Sequence, residues 1–278
     1  MPFTAIKTLY LKLKGRSEKD DPLPPSSPEP QKPPITKDFV SETDLLFDLI
    51  GNITGTMLDV GAHRGTSAMP FARGKWEVYA FEPDIDNRTV LEKRFKDFPG
   101  VHIESRAVGD KNQTGVEFYS SEVSSGISAL SKFHESHRLK GHVDTITLQN
   151  YCKQKNITRV DLLKIDTEGF DLFVLKGFPW ERISPAVIEC EFEDRKTIPL
   201  GYRYKDIADY LVQKGYRLII SEWYPVVEYG VKHKWRCFAR YPYQLQDENA
   251  WGNIIAFKYR KDFNRLCKQI KKNGVKIA

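Results

Sequence analysis

Between residues 56 and 258 the chain repeats one pattern: a short run of Val, Ile, Leu or Phe, a glycine or acid near its end, then apolar residues at helical spacing. Unbroken apolar runs of this length read as strands covered on both faces, and their alternation with helices implies a mostly parallel sheet flanked by helices. The spacing predicts strands over 56–60, 77–81, 101–108, 160–165, 186–192, 217–221 and 253–258, with short extra strands at 116–119 and 143–146 that pair with each other. Helices are predicted over 68–72, 88–95, 148–155, 170–175 and 204–214. Ahead of them, Ser41-Glu-Thr-Asp44 has the spacing of a helix N-terminus before Leu45, Leu46, Leu49 and Ile50. The expected fold class is therefore α/β, a Rossmann-like domain with helices on both faces of a mostly parallel sheet.

Charge and proline divide the chain further. Residues 1–19 hold five Lys or Arg against one Glu, and residues 258–278 hold eight against one Asp. The whole carries +6, so the 238 residues between are at −5. Seven prolines fall within residues 22–34, where missing amide donors and a fixed φ favour extended backbone. The organisation read from these features is a basic segment 1–19, a Pro-rich linker 20–40, a folded domain 41–258 and a basic C-terminal helix 259–278, with a disordered N-terminal tail. Phosphate recognition needs clustered Lys and Arg, so the acidic body leads to the expectation of no nucleic acid partner. The basic ends allow a weak membrane-surface contact. Four widely spaced cysteines and no apolar run long enough to span a bilayer lead to the expectation of a cytoplasmic protein.

Three stretches carry chemistry. Met57-Leu-Asp-Val-Gly-Ala-His-Arg-Gly65 runs a strand into Asp59, then Gly61 and Gly65. A dinucleotide fingerprint would read G-x-G-x-x-G and set pyrophosphate on a helix N-terminus. Here an acid stands two residues before G-x-x-x-G, which suits a ligand with a cationic amino-acid end. Val78-Tyr-Ala-Phe-Glu-Pro83 ends the second strand on Glu82, placed to accept both hydroxyls of a ribose. Val160-Asp-Leu-Leu-Lys-Ile-Asp-Thr-Glu-Gly-Phe-Asp171 brings Lys164, Asp166 and Glu168 to the mouth of a buried strand, where charges are costly without partners or a function. Period two also places Glu189, Glu191 and Glu193 on one face of the fifth strand.

MLDVGAHRG, FEPD, SRAVGD, DLLKIDTEGFDLFVLKG and IECEFE together resemble the FkbM-type methyltransferases, over about residues 56–258. The resemblance implies a class I methyltransferase fold with S-adenosylmethionine as donor. It implies that Asp59, Gly61 and Gly65 line the methionine end, Glu82 the ribose, and Ala107, Val108 or Asp110 the adenine, with Asp166 and Glu168 facing the acceptor. Asp171 departs from the pattern, where Glu is commoner, and the shorter side chain is expected to alter a local hydrogen bond.

The expected activity is methylation of a hydroxyl on a sugar, glycan or other small molecule. Asp166 or Glu168 orients the acceptor or takes its proton, and His134, His137 or His142, in a long loop of the kind that forms lids, offers an alternative base. A Mg²⁺ ion on Asp166 and a fifth-strand acid such as Glu191 is a further option. The competing classes are a non-catalytic binding module on the same scaffold and a nicotinamide-dependent oxidoreductase.

Overall fold

The computed structural model describes residues 41–229 and 231–278. The basic segment 1–19 and the linker 20–40 predicted from sequence lie outside the described residues.

Helix α1 (Glu42–Ile50) starts where the N-cap signal places it, with the Ser41 hydroxyl accepting from the Asp44 amide at 3.2 Å. Strands β1 (Thr56–Val60), β2 (Glu77–Phe81) and β3 (Val101–Glu104) follow, linked by helices α2 (Ala68–Arg73) and α3 (Ile85–Phe95). Next come β4 (Ala107–Val108), the hairpin β5 (Gln113–Ser121) and β6 (His137–Ile146), and helix α4 (Leu148–Gln154). The second half runs β7 (Leu162–Ile165), α5 (Asp171–Lys176), β8 (Val187–Glu193), α6 (Asp194–Thr197), α7 (Tyr204–Gln213), β9 (Arg217–Trp223), β10 (Trp235–Arg240), β11 (Trp251–Phe257) and α8 (Arg260–Lys272).

The main sheet has eight strands in the order β10-β9-β11-β8-β7-β1-β2-β3. Five neighbours, β8 to β3, are parallel, while β11 runs antiparallel between β8 and β9, and β10 antiparallel to β9. Chain order reverses on either side of β1, and the crevice beyond strand C-termini at such a switch point is where open α/β sheets bind ligands. Alternation along β1 shows how the layers form. Leu58 and Val60 join the core cluster that holds residues of α4, α5 and α7, while Met57 joins the one built with α1, α2, α3 and α8. The Rossmann-like class I methyltransferase arrangement expected from the sequence is the one observed.

Three segments differ from the sequence-based expectation, and one is the loop expected around 134–142, of which His137 and His142 belong to strand β6. The run 101–108 splits, because β4 leaves the main sheet and pairs with β6 in a second, three-stranded sheet. Arg106, between the two strands, forks onto the Glu104 carboxylate through Nε and Nη2 at 2.8 Å. Strand β10 was not predicted, since Arg236 and Arg240 interrupt its apolar residues; Arg236 is drawn in by Glu222 at 2.6 Å.

The basic C-terminal helix expected from sequence is α8, and its apolar face is buried. Leu266, Cys267 and Ile270 pack in the cluster that holds Leu45, Leu46 and Leu49 of α1 and Ile255 and Phe257 of β11, and Arg265 donates to the Leu49 carbonyl at 2.9 Å. The apolar face that a membrane contact through this terminus needs is thus covered by the protein itself. No helix among the described residues is long and apolar enough to cross a membrane.

Leu266→Ala should lower unfolding stability by about 2–5 kcal/mol, the range for truncating a fully buried leucine. Lys268→Ala on the exposed face should stay within about 0.5 kcal/mol of wild type. Urea unfolding of the two variants checks the docking.

Candidate active site

The site grows out of a row of charges across the sheet. Register places Asp59 of β1 beside Lys164 of β7, and Lys164 beside Glu189 of β8. All three are buried. Lys164 Nζ lies 3.1 Å from Asp166 Oδ2 and 3.9 Å from Asp59 Oδ1. Burial disfavours its charge, but Asp166, Asp59 and Glu189 outweigh burial and raise its pKa. Asp59 is pushed up by burial, against the pull of Lys164 and of the Ser67 hydroxyl, which donates to Asp59 Oδ2 at 2.7 Å. Burial carries Glu189 up to about 8, although Lys164 and the hydroxyl of Thr43, 3.0 Å away, act to lower it.

Above this row the chain turns. Gly61 sits at φ +82°, and a Cβ there would lie 1.8 Å from the carbonyl oxygen of Asp166. The β1 and β7 exits can approach so closely only because position 61 has no side chain. Gly65, at φ +80°, serves helix packing instead: its missing Cβ makes room for Phe95 and Leu91 of α3. His63, also at positive φ, donates its amide to Glu82 Oε2 at 2.7 Å, while the Asp84 amide donates to Oε1 at 2.8 Å. Burial nonetheless pushes Glu82 up to about 7.

A cavity of about 320 Å³ opens beyond these strand ends, within the size range of small-molecule sites. Gly61, His63, Phe81, Glu82, Ala107 and Val108 line it together with Asp166, Glu168, Glu191, Glu193 and Lys196. Residues 124–130, including the 3₁₀ turn Ser125–Ile127, form one wall, tied down by Asn87 Nδ2 donating to the Ser125 carbonyl and by His63 Nε2 3.0 Å from Ser125 Oγ. Val226, Tyr229, His233 and Trp251 form another. A second cavity, lined by Ser41, Thr43, Asp44, Thr66, Ser67 and Lys164, shares Gly61, His63 and Asp166 with the first.

The loop after β7 is shaped by Asp171. Its carboxylate accepts from the amides of Thr167 and Gly169, both at 3.1 Å, and burial raises it to about 6. The shorter side chain therefore keeps two backbone partners. Glu168 is held at φ +56°. Burial raises its pKa to about 7, with Asp166 adding to the rise and Lys196 opposing it. Asp166 lies below the usual carboxylate range: burial favours its neutral form, but Lys164 and Lys196 together prevail. Asp166, Glu168 and Glu191 offer oxygens within 4.8 Å of one another, the grouping that could hold a divalent ion, and Lys196 stands among them.

Of the residues singled out from sequence, the structure gathers Gly61, Glu82, Ala107, Asp166 and Glu168 around one cavity. Asp59 and Gly65 do not reach it. Asp59 is wholly buried beneath the loop, on the sheet face covered by Ser67 at the start of α2, and Gly65 packs on α3. Asp110 is exposed and is not among the residues lining the cavity. His142 is also out of place as a base: it is exposed on β6 and pairs across the hairpin with Glu117. His137 is buried, and His134 hydrogen-bonds Ser136 at 2.6 Å. Neither of these lines the cavity. Sequence reasoning missed Lys196, His63 and Tyr229 as wall residues. Lys196 had a signal, since a run of three buried acids on β8 demands a cation nearby.

The Methyltransferase FkbM domain matches residues 59–218, more than half of the chain, and the chain belongs to that family. Membership implies S-adenosylmethionine as the methyl donor. No curated protein sequence matches the chain. Among solved structures, the chain is similar to a precorrin-6Y C5,15-methyltransferase from Geobacter metallireducens GS-15, at 12% identity over 81% of this chain and 94% of that one, TM-score 0.40. It is also similar to an rRNA methylase from Streptococcus thermophilus, at 9% identity over 78% and 94%, TM-score 0.40. The expectation that excluded nucleic acid as a partner does not stand, because a charge averaged over 238 residues does not describe the surface around one cavity.

Two outcomes follow. Gly61→Ala should cost at least about 2 kcal/mol in unfolding experiments, since it adds a clash to a left-handed backbone, whereas Gly109→Ala, with open space at its Cβ, should cost far less. Glu189 has a folded pKa of about 8 against an ordinary 4.5, so the folded chain holds a proton that the unfolded chain releases. Wild type should lose stability relative to Glu189→Gln as pH rises from 4.5 to about 8, then run parallel to it. Thermal melts across that window read the difference, and a pH-independent gap would refute the assignment.

Proposed function

We propose that this member of the FkbM family transfers the methyl group of S-adenosylmethionine to a hydroxyl of a sugar, glycan or other small molecule, with Glu168 as proton acceptor. The observation that carries this reading is one cavity lining that runs from Glu82 past Gly61 to Asp166 and Glu168.

The donor fits the residues present. Glu82 keeps lone pairs free beyond its two amide bonds, and it faces the cavity where the hydroxyls of a ribose diol would donate to it. Gly61 leaves the backbone open to close approach, and Phe81, Ala107 and Val108 give an apolar bed for adenine. The adjoining cavity offers Asp44 and Asp166 to an ammonium and Lys164 to a carboxylate, which matches the two charges of an amino-acid end. When bound, the donor supplies an electrophilic methyl group on a sulfonium.

What remains for the chain is positioning and proton removal. Asp166, held ionised by Lys164 and Lys196, is suited to accept a hydrogen bond from the acceptor and fix its orientation. Glu168, with a pKa of about 7, is suited to take the hydroxyl proton near neutral pH. Its positive φ directs the carboxylate from the loop rather than from the strand. Tyr229, His233 and Trp251 provide flat surfaces for a sugar ring on another wall.

Hydroxylated sugars and small metabolites, screened with methyl-labelled donor, identify the acceptor. With that acceptor, Glu168→Gln should lower turnover by about 10²–10⁴-fold, the usual worth of a general base, while donor affinity stays near wild type. Glu82→Ala should do the converse and weaken donor binding by about tenfold or more. Near-normal turnover by Glu168→Gln removes it from the mechanism.

A further inference from the structure

Lys196 is the third residue of α6, and its side chain turns inward until it is only 3% exposed. Burial alone would strip the charge from such an amine. The charge is kept because Nζ reaches Glu168 Oε2 at 2.6 Å, Glu193 Oε2 at 2.9 Å and Glu191 Oε2 at 3.2 Å. Three carboxylates thus surround the ammonium as ion pairs, and its hydrogen bonds go to both oxygens of Glu191, at 3.3 and 3.2 Å. Two of those acids, Glu168 and Glu191, also belong to the trio with Asp166 whose oxygens converge within 4.8 Å. Carboxylates so grouped suit Mg²⁺ or Mn²⁺, yet here a tethered cation has a contact to two of the three.

We propose that Lys196 is a resident cation: its ammonium stands where a divalent ion would otherwise sit among Asp166, Glu168 and Glu191, and it keeps Glu168 in place to receive a proton. The second part rests on the role given to Glu168 above; the first stands without it.

Charge supports the substitution. An ammonium brings one positive charge where a divalent ion brings two, so the cluster is left rich in carboxylate and one member should hold a proton. Burial drives Glu191 well above the ordinary range, with Glu168 and Asp166 adding to the rise and Lys196 opposing it. Glu193 is drawn to Arg195 on its other side, at 2.7 Å, which leaves Glu168 and Glu191 as the pair that Lys196 chiefly serves. Phe133, whose ring centre is 5.5 Å from Nζ, covers the ammonium and limits its access to water. Because the cation is part of the chain, its occupancy does not vary with metal supply. Lys196 is a positioning residue here, acting through the acids it binds.

Mn²⁺ alone is the probe, titrated into the full-length protein and followed by the electron paramagnetic resonance amplitude of the free ion. Wild type and Lys196→Arg should leave the ion free. Lys196→Ala should bind it at least about tenfold more tightly than wild type, as removing a unit charge a few ångströms away demands. Adding Glu191→Gln to Lys196→Ala should abolish the gain. Circular dichroism melts report whether each variant is folded. Three results overturn the proposal: Glu191-dependent Mn²⁺ binding by wild type, no gain in folded Lys196→Ala, or a gain that survives Glu191→Gln. The wild-type titration decides even if Lys196→Ala does not fold. None of these readings uses turnover, so they separate this proposal from the assignment of Glu168 as base.

Discussion

Lys164 lies in the middle of the parallel sheet with Asp59 on one flank and Glu189 on the other, three ionisable side chains in register across β1, β7 and β8. Buried charges persist only when paired and hydrogen-bonded, and here Ser67 and Thr43 complete the set from the start of α2 and from α1. The row fixes how far each strand runs before it turns. Just past it come the Gly61 turn, the loop to Asp171 and the acids of β8, which together make the cavity. Removal of one member would strand the others, so the site's geometry and its stability rest on the same interaction.

A second cation repeats the device one layer further out. Lys164 holds Asp166 ionised from below, and Lys196 binds Glu168, Glu191 and Glu193 from the side. The two carboxylates of the loop thereby acquire opposite tendencies. Asp166 stays charged near neutrality, while Glu168 titrates at about 7. Neighbouring acids with separated pKa values are how one site orients a substrate and removes its proton at the same pH.

The sequence announces much of this. Unbroken apolar runs located nearly every strand of the parallel sheet, and the two charged motifs at strand ends pointed to Glu82, Asp166 and Glu168, because an acid at the end of a buried run needs a reason. Strand-end logic failed where side-chain direction decides. Asp59 stands in the motif but points under the loop rather than into the cavity, and Asp110 and His142 lie on exposed backbone. The acids of β8 called for a cation, but the pairing of Lys196 with Glu168, in the loop after β7 and more than twenty residues away, was not visible in the local pattern. β10 was hidden for a similar reason: Arg236 looks like a surface residue until Glu222 on the adjacent strand accounts for it.

Calorimetric titration of the purified chain with S-adenosylmethionine, and separately with NADH, tests the central claim most directly. The account predicts saturable one-to-one binding of S-adenosylmethionine and none of NADH, because the acid-lined loop favours a cationic amino-acid end over a pyrophosphate. Binding of NADH alone, or of neither ligand to the folded protein, would contradict it.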